Sequence, residues 1–354
     1  MRWEGSPDHS ITADLRGVFF RGNQGLPPFL YGVGTWFGPG VDEPTALFIL
    51  DEEEVTVDSP ITADNFPYAL GEPQQVAGGP PLIVGRIGDA SERVRERIGG
   101  FLDTALIIPS GRPEPLAKVG SVLLDPAAGG RGTIGVPVIR TLDDGSLIEG
   151  FLTAGHTVAG LGAQVVKSRS WRRSHGRALG RVFVHSDPVA PPGIQARPGF
   201  DMAVVDLDPG QKPLTPVSSG LAQLPSSPPQ PVPVRMRGGF TRNGLGMVCA
   251  SLIAGGSPRR QWQDCWIMVP GLAVQGDSGG CVVTVSGQEL LGMLVGGARQ
   301  GGQSRYAMHY VQDHDSAQQS LLTPAGVRLK LCGMILSLTE SSAPSPTTTS
   351  RDSR

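Results

Sequence analysis

Residues 276–280, which read Gly-Asp-Ser-Gly-Gly, place the tightest constraint on what this chain can form. Glycines on both sides of Ser278 let the backbone turn sharply and present its N–H groups without a Cβ in the way. A serine attacks a carbonyl only when a base takes its proton and N–H groups stabilise the resulting oxyanion. We therefore predict Ser278 as a nucleophile, with the N–H groups of Gly276 and Ser278 as an oxyanion hole. Taken alone, the pentapeptide is also typical of surface loops.

Two other stretches supply the groups that such a serine needs. His156 follows an apolar strand end and enters a turn of small residues. Asp201 stands just before the apolar residues 202–205, which would bury it. A buried carboxylate holds a histidine in the tautomer that can take the serine proton. Asp206 and Asp208 are rivals for this role, and Asp201 is preferred because of the apolar run.

The motifs follow in the order histidine, aspartate, serine, which resembles the trypsin/chymotrypsin-like serine peptidase superfamily. Residues 237–246 are similar to the stretch that opens the second barrel in many bacterial members. The resemblance covers residues 115–338 and implies a mostly β peptidase fold of two six-stranded antiparallel β-barrels with a C-terminal helix. It also implies a serine endopeptidase acting on proteins or peptides through an acyl-enzyme. The implied roles are nucleophile for Ser278, base for His156 and orienting carboxylate for Asp201.

A specificity pocket follows from the same resemblance. By position, the pocket floor is Leu272, and the wall includes Val295 and Gly297. No acidic side chain falls at the floor, so a bound lysine or arginine would lack a counter-charge. We expect cleavage after apolar or small residues.

Activation of trypsin-like zymogens frees an N-terminus that pairs with the aspartate before the nucleophile, here Asp277. Residues 83–86, 97–100 and 118–120 are similar to such a terminus. The first two lie far upstream of His156 and the third matches poorly, so we interpret all three as coincidence. We expect Asp277 to find its partners inside the folded chain.

Length and composition predict how the chain is divided. At about 100–200 residues per domain, 354 residues suit two units or a double barrel with an extension. Fifty glycines and 32 prolines favour short strands and turns over long helices. The predicted segments are a small mixed α/β domain of unknown function (1–112), a peptidase domain (113–338) made of a first barrel (116–213), a connector (214–233) and a second barrel (234–338), and a disordered tail (339–354).

The first hundred residues do not match the peptidase pattern. Residues 89–98 predict a helix with Asp89 as its N-cap. The proline- and glycine-rich residues 109–115 predict an exposed linker. Few contacts cross such linkers, so we expect the N-terminal domain to be separable there.

Composition argues against several classes of partner and cofactor. Charged residues make up 18% of the chain and the net charge is −2, so nothing global indicates nucleic-acid binding. A basic stretch over residues 167–181 could bind nucleic acid or an acidic partner, but a solvated hairpin is the favoured interpretation. The polar N-terminus and the lack of a long apolar run predict a cytoplasmic protein with no membrane segment.

The four cysteines show no metal-site spacing, so we expect no metal or other cofactor. The four could form two disulfide bridges in three ways, but we favour free, mostly buried thiols in a reducing compartment. Two alternatives to a general peptidase stay open. One is a protein-binding module whose N-terminal domain carries the function, and the other is an enzyme that cuts only itself.

Overall fold

In the computed structural model, the described residues are 26, 28–53, 68–75, 80–87, 104–116, 123–125, 130–167, 177–211, 220–225, 227–241, 243–286, 288–301, 303 and 305–329. Within them the chain is built almost wholly of strands, arranged in two sheets. The abundance of β-branched and apolar residues between glycine- and proline-rich turns accounts for this content.

The second half of the chain forms a closed barrel. Its strands are β14 (Val232–Arg237), β15 (Gly244–Ser257), β16 (Arg260–Val269), β17 (Cys281–Thr284), β18 (Leu290–Arg299) and β19 (Tyr306–Asp313). Antiparallel pairings run β14-β17-β18-β19-β16-β15, and β15 pairs back with β14, which closes the ring. This ring of six paired strands is consistent with the second barrel that the motifs predict.

The other sheet holds the first-barrel strands. They are β7 (Leu123–Asp125), β8 (Gly130–Gly132), β9 (Pro137–Thr141), β10 (Leu147–Thr153), β11 (Gln164–Lys167), β12 (Arg177–Ser186) and β13 (Met202–Leu207). An eighth strand, β20 (Val327–Leu329), pairs with β9, and the order is β20-β9-β10-β13-β12-β11-β7-β8. A tight turn joins β9 to β10, with Gly145 at φ 79° and Ser146 N–H donating to Asp144 Oδ1 at 2.8 Å.

The N-terminal strands are β1 (Leu30–Trp36), β2 (Thr45–Asp51), β3 (Tyr68–Gln74), β4 (Leu82–Ile87), β5 (Thr104–Ser110) and the short β6 (Glu114–Pro115). They continue the sheet of the second barrel in the order β15-β1-β2-β5-β4-β3, which differs from the expected division into a separate domain. β15 is long enough to pair with β14 over Gly244–Val248 and then with β1 over Ala250–Gly255. Every residue of β1 is buried. The helix predicted over residues 89–98 lies outside the described residues.

The predicted linker over residues 109–115 is packed into the fold. Ser110 ends β5 and is fully buried, and β6 pairs with β18. Gly111 N–H donates to the carbonyl of Arg299 at 2.9 Å. An exposed, flexible linker is therefore the wrong description of this segment.

The chain after the second barrel returns to the first sheet. A short helix α1 (His314–Ala317) and a π-helical turn (Gln318–Leu322) lead into β20. The expectation that the second barrel extends to residue 338 is wrong, because β20 pairs with the first sheet. The described residues contain no longer C-terminal helix, and residues 330–354, including the predicted tail, lie outside them.

Candidate active site

His156 lies where the first sheet meets the second barrel. β10 ends at Thr153, and the 3-10 turn Gly155–Thr157 carries the histidine. The Thr157 hydroxyl donates to the carbonyl of Ala154 at 2.6 Å, which closes this turn. The imidazole is therefore presented by a short, internally bonded element rather than by a free loop.

Asp201 is fully buried just before β13. Its carboxylate accepts three hydrogen bonds: from His156 N–H at 2.9 Å, from His156 Nδ1 at 2.6 Å and from Trp262 Nε1 at 2.9 Å. Burial alone would raise the pKa of Asp201, but the attraction and hydrogen bonds of His156 outweigh it and lower that pKa below its ordinary value. The carboxylate is thus held ionised beside the ring.

Ser278 completes a continuous hydrogen-bonded chain. Its Oγ lies 2.9 Å from His156 Nε2. The ionised carboxylate of Asp201 can only accept hydrogen bonds, so the proton between Asp201 and His156 is bonded to Nδ1 of the ring. Nε2 then carries no proton and accepts the hydrogen bond of the serine hydroxyl. The arrangement can move a proton from Ser278 to His156.

The backbone of the nucleophile turn has the conformation that its glycines predict. Gly276 has φ 101°, a backbone angle that residues with a side chain rarely adopt. Its N–H donates to the carbonyl oxygen of Leu116. One predicted oxyanion donor is therefore aimed at a peptide carbonyl of the same chain. The Asp277 carboxylate accepts from the N–H groups of Phe240, Thr241 and Val274 at 2.8, 3.1 and 3.0 Å, so it finds its partners internally, as expected.

Solved structures similar to this chain include chymotrypsin-fold bacterial serine proteases. Nocardiopsis protease is 20% identical with a TM-score of 0.41, over 60% of this chain and 97% of its own. Thermobifida fusca protease A is 19% identical with a TM-score of 0.39, over 63% of this chain and 98% of its own. Cellulomonas bogoriensis chymotrypsin is 22% identical with a TM-score of 0.39, over 60% and 97%. No protein-family profile and no curated protein matches the sequence.

The predicted pocket residues are only partly where the motifs imply. Leu272 is 40% exposed, so its side chain cannot form the floor of an enclosed pocket. The neighbouring Ala273 is buried instead, and its N–H donates to Nε2 of the buried His309 at 2.8 Å. Val295 is buried, and Gly297 lies on β18 opposite Glu114.

The two rival carboxylates lie elsewhere. Asp206 is on β13 and forms an ion pair with Arg140. Asp208 lies past the end of β13, where its N–H donates to the carbonyl of Leu179 at 2.8 Å. Only Asp201, of the three candidates, is bonded to the histidine ring.

Two supporting residues escape prediction from the sequence. Trp262 donates to the Asp201 carboxylate, and Gln312 Oε1 accepts from Asp201 N–H at 2.7 Å. Both sit on second-barrel strands and reach across to the first sheet. The one available signal is that a buried tryptophan needs a partner for its N–H, but the sequence does not say which partner.

The described residues contain no group of three or more His, Cys, Asp or Glu side chains that could hold a metal ion. None of the helices among them is long and apolar enough to cross a membrane. Cys249, Cys265 and Cys281 are free and buried, as predicted, and burial raises the pKa of Cys249 to about 12. Cys332 and most of the basic stretch lie outside the described residues.

Proposed function

We propose that this protein is a serine endopeptidase that acts through Ser278, His156 and Asp201. The observation that carries the proposal is the unbroken hydrogen-bonded chain from the Asp201 carboxylate through both ring nitrogens of His156 to Ser278 Oγ. The fully buried carboxylate with its three donors gives the histidine one orientation and one tautomer.

In the proposed reaction, Ser278 Oγ attacks the substrate carbonyl while His156 Nε2 takes the hydroxyl proton. The N–H groups of Gly276 and Ser278 stabilise the oxyanion. His156 then gives its proton to the leaving amine, which breaks the peptide bond and leaves an ester on Ser278. Water, deprotonated by His156, hydrolyses that ester and restores the serine.

We also propose that the residue before the scissile bond is apolar or small. The buried Ala273 provides an apolar surface next to the nucleophile turn. The carboxylate of Asp277, which precedes the nucleophile in sequence, is occupied by three backbone N–H groups and has little capacity left to receive a basic side chain.

Labelling with a fluorophosphonate tests the proposal. We expect the wild-type protein to be labelled and to hydrolyse peptides, and Ser278→Ala to lose both activities while folding normally. Ser257→Ala, which changes another buried serine, is the matched control and should be labelled like the wild type. A folded wild-type protein that takes no label and cuts no peptide would refute the proposal and favour the protein-binding alternative.

A further inference from the structure

Residues 113–116 lie along the strand that borders the candidate active site. Within this segment β6 pairs antiparallel with β18, with Pro115 opposite Gly296 and Glu114 opposite Gly297. A proline fits a ladder position whose N–H would point away from the partner strand. The segment is therefore an added strand at the edge of β18, the usual way in which an extended peptide binds a sheet.

Leu116 carries the two contacts that matter for chemistry. Its side chain is fully buried and belongs to the apolar cluster that includes Ala273 and Tyr306. Its carbonyl oxygen accepts the N–H of Gly276, the predicted oxyanion donor. An apolar side chain in a pocket and a carbonyl on an oxyanion donor are what a bound substrate presents to a serine nucleophile.

Polar contacts fix the register of the preceding residues. Glu114 Oε1 accepts from the Tyr306 hydroxyl at 2.8 Å and forms an ion pair with Arg299 at 3.0 Å. Further back, Gln300 Nε2 donates to the carbonyl of Pro109 at 2.9 Å. These bonds hold the segment so that the carbonyl of Leu116 faces the N–H of Gly276.

We propose that residues 113–116 are the enzyme's own substrate and that the chain cuts itself after Leu116. This inference rests on the proposed function and names a substrate for the same site. It assigns the buried leucine as the residue recognised before the scissile bond, in line with the proposed preference for apolar side chains.

The reaction consumes one water molecule. Ser278 Oγ bonds to the Leu116 carbonyl carbon, and His156 takes the hydroxyl proton. The bond from that carbon to the nitrogen of Ala117 breaks, and this nitrogen receives the proton from His156. Water then hydrolyses the Leu116 ester, which leaves a carboxylate on Leu116 and a free Ser278.

The cut does not by itself separate the two pieces. β1 stays paired with β15, and β2 to β5 stay joined to β1 in the same sheet. We expect the fragments 1–116 and 117–354 to remain together under native conditions. Asp277 already has three donors, so the new terminus at Ala117 is not required to pair with it.

Intact mass and N-terminal sequencing of the purified full-length protein test the inference. The wild type should yield fragments that end at Leu116 and begin at Ala117, whereas Ser278→Ala should stay whole. Leu116→Asp should lower the cut fraction by about tenfold or more, because an unpaired carboxylate is disfavoured in an apolar pocket. Leu161→Asp, at a leucine that is 71% exposed, should be cut like the wild type.

A carboxylate at a buried position can also prevent folding, so Glu114→Lys gives a second test. Glu114 is 41% exposed, and reversing its charge opposes Arg299 without changing the core. We expect this variant to fold and to be cut several-fold less. Adding wild-type enzyme to whole Ser278→Ala protein should not cut it, because its segment already fills its own cleft.

The outcomes separate this inference from the proposed function. A whole wild-type protein that takes the fluorophosphonate label and hydrolyses added peptides overturns self-cleavage and leaves the peptidase in place. A cut at another bond, or equal cutting of Leu116→Asp and wild type, also overturns the inference. A wild type that stays whole, together with a folded Leu116→Asp variant that takes no label and cuts no peptide, overturns both.

Discussion

Replacing Asp201 with asparagine tests the hydrogen-bond network most directly. Three donors converge on the carboxylate, two of them on Oδ2. Asparagine keeps one acceptor oxygen and turns the other position into a donor. If its nitrogen faces the ring, His156 must move its proton to Nε2, where it can no longer accept from Ser278, and Trp262 N–H loses its partner.

If the asparagine oxygen faces the ring instead, its nitrogen meets the backbone N–H of His156, and that buried donor loses its partner. Each orientation therefore leaves at least one buried N–H unpaired, at a cost of about 1–3 kcal/mol. The two asparagine orientations are similar in cost, so many molecules of the variant hold His156 in the inactive tautomer. In the remaining molecules, the His156 cation that forms during the reaction has no carboxylate beside it. We expect kcat/KM to fall by about 10² to 10⁴. The upper value is the loss in rate that the same aspartate-to-asparagine change causes in a Ser-His-Asp triad.

The assay is hydrolysis of a peptide ester together with urea unfolding of each variant. Asp206→Asn is the matched control, because Asp206 is on the adjacent strand β13 and pairs with Arg140 at a partly exposed position. We expect it to change stability by less than about 1 kcal/mol and to keep near-normal activity. Asp201→Asn within tenfold of wild type, or Asp206→Asn as the more damaging change, would refute the reasoning.

Three further changes have defined outcomes. Gly296→Ala should lower kcat/KM at least about tenfold, because the added Cβ would lie 2.2 Å from the ring of Trp262. An unchanged kcat/KM would contradict this. Burial lowers the pKa of His309 to about 4 in the folded protein. Between about pH 6.5 and pH 4 the unfolded chain therefore binds more protons than the folded one, and the free energy of unfolding falls as pH drops. The free energy of unfolding in urea should differ by about 2 kcal/mol between pH 7 and pH 4.5 because of this residue, and by less in His309→Gln. A chain that starts at Glu114 lacks β1, which leaves the edge of β15 unpaired along Ala250–Gly255, and it should aggregate. A soluble monomer of this chain would contradict the importance of the β1–β15 pairing.

The residues of the proposed triad could be named from the sequence because each lies in a short motif with its own chemistry. Ser278 and Gly276 sit in one short turn, and Asp201 was separable from Asp206 by the apolar run that follows it. The partners that hold Asp201 were not predictable, since Trp262 and Gln312 reach it from strands that are distant in sequence. A single sequence carries no record of which buried donor meets which acceptor.

The prolines near residue 113 show why composition alone does not fix the domain division. Pro113 and Pro115 are typical of linkers, but they are equally suited to a short edge strand that donates few backbone hydrogen bonds. Composition cannot separate these two settings. The choice depends on whether a partner edge is available, and here β18 supplies it. The pairing of β1 with β15 was invisible for the same reason.

Two long-range strand pairings determine when the chain can complete its fold during synthesis. β1 with β15 and β9 with β20 each join segments about 200 residues apart, and contacts of such long range form slowly. Because a chain is made from its N-terminus, β1 and β9 leave the ribosome long before their partners exist. β1 can pair with β2 as soon as both are made, but its other edge waits until β15 has been synthesised. A message truncated just before residue 327 would encode Ser278, His156 and Asp201 and still leave one edge of β9 without its partner β20.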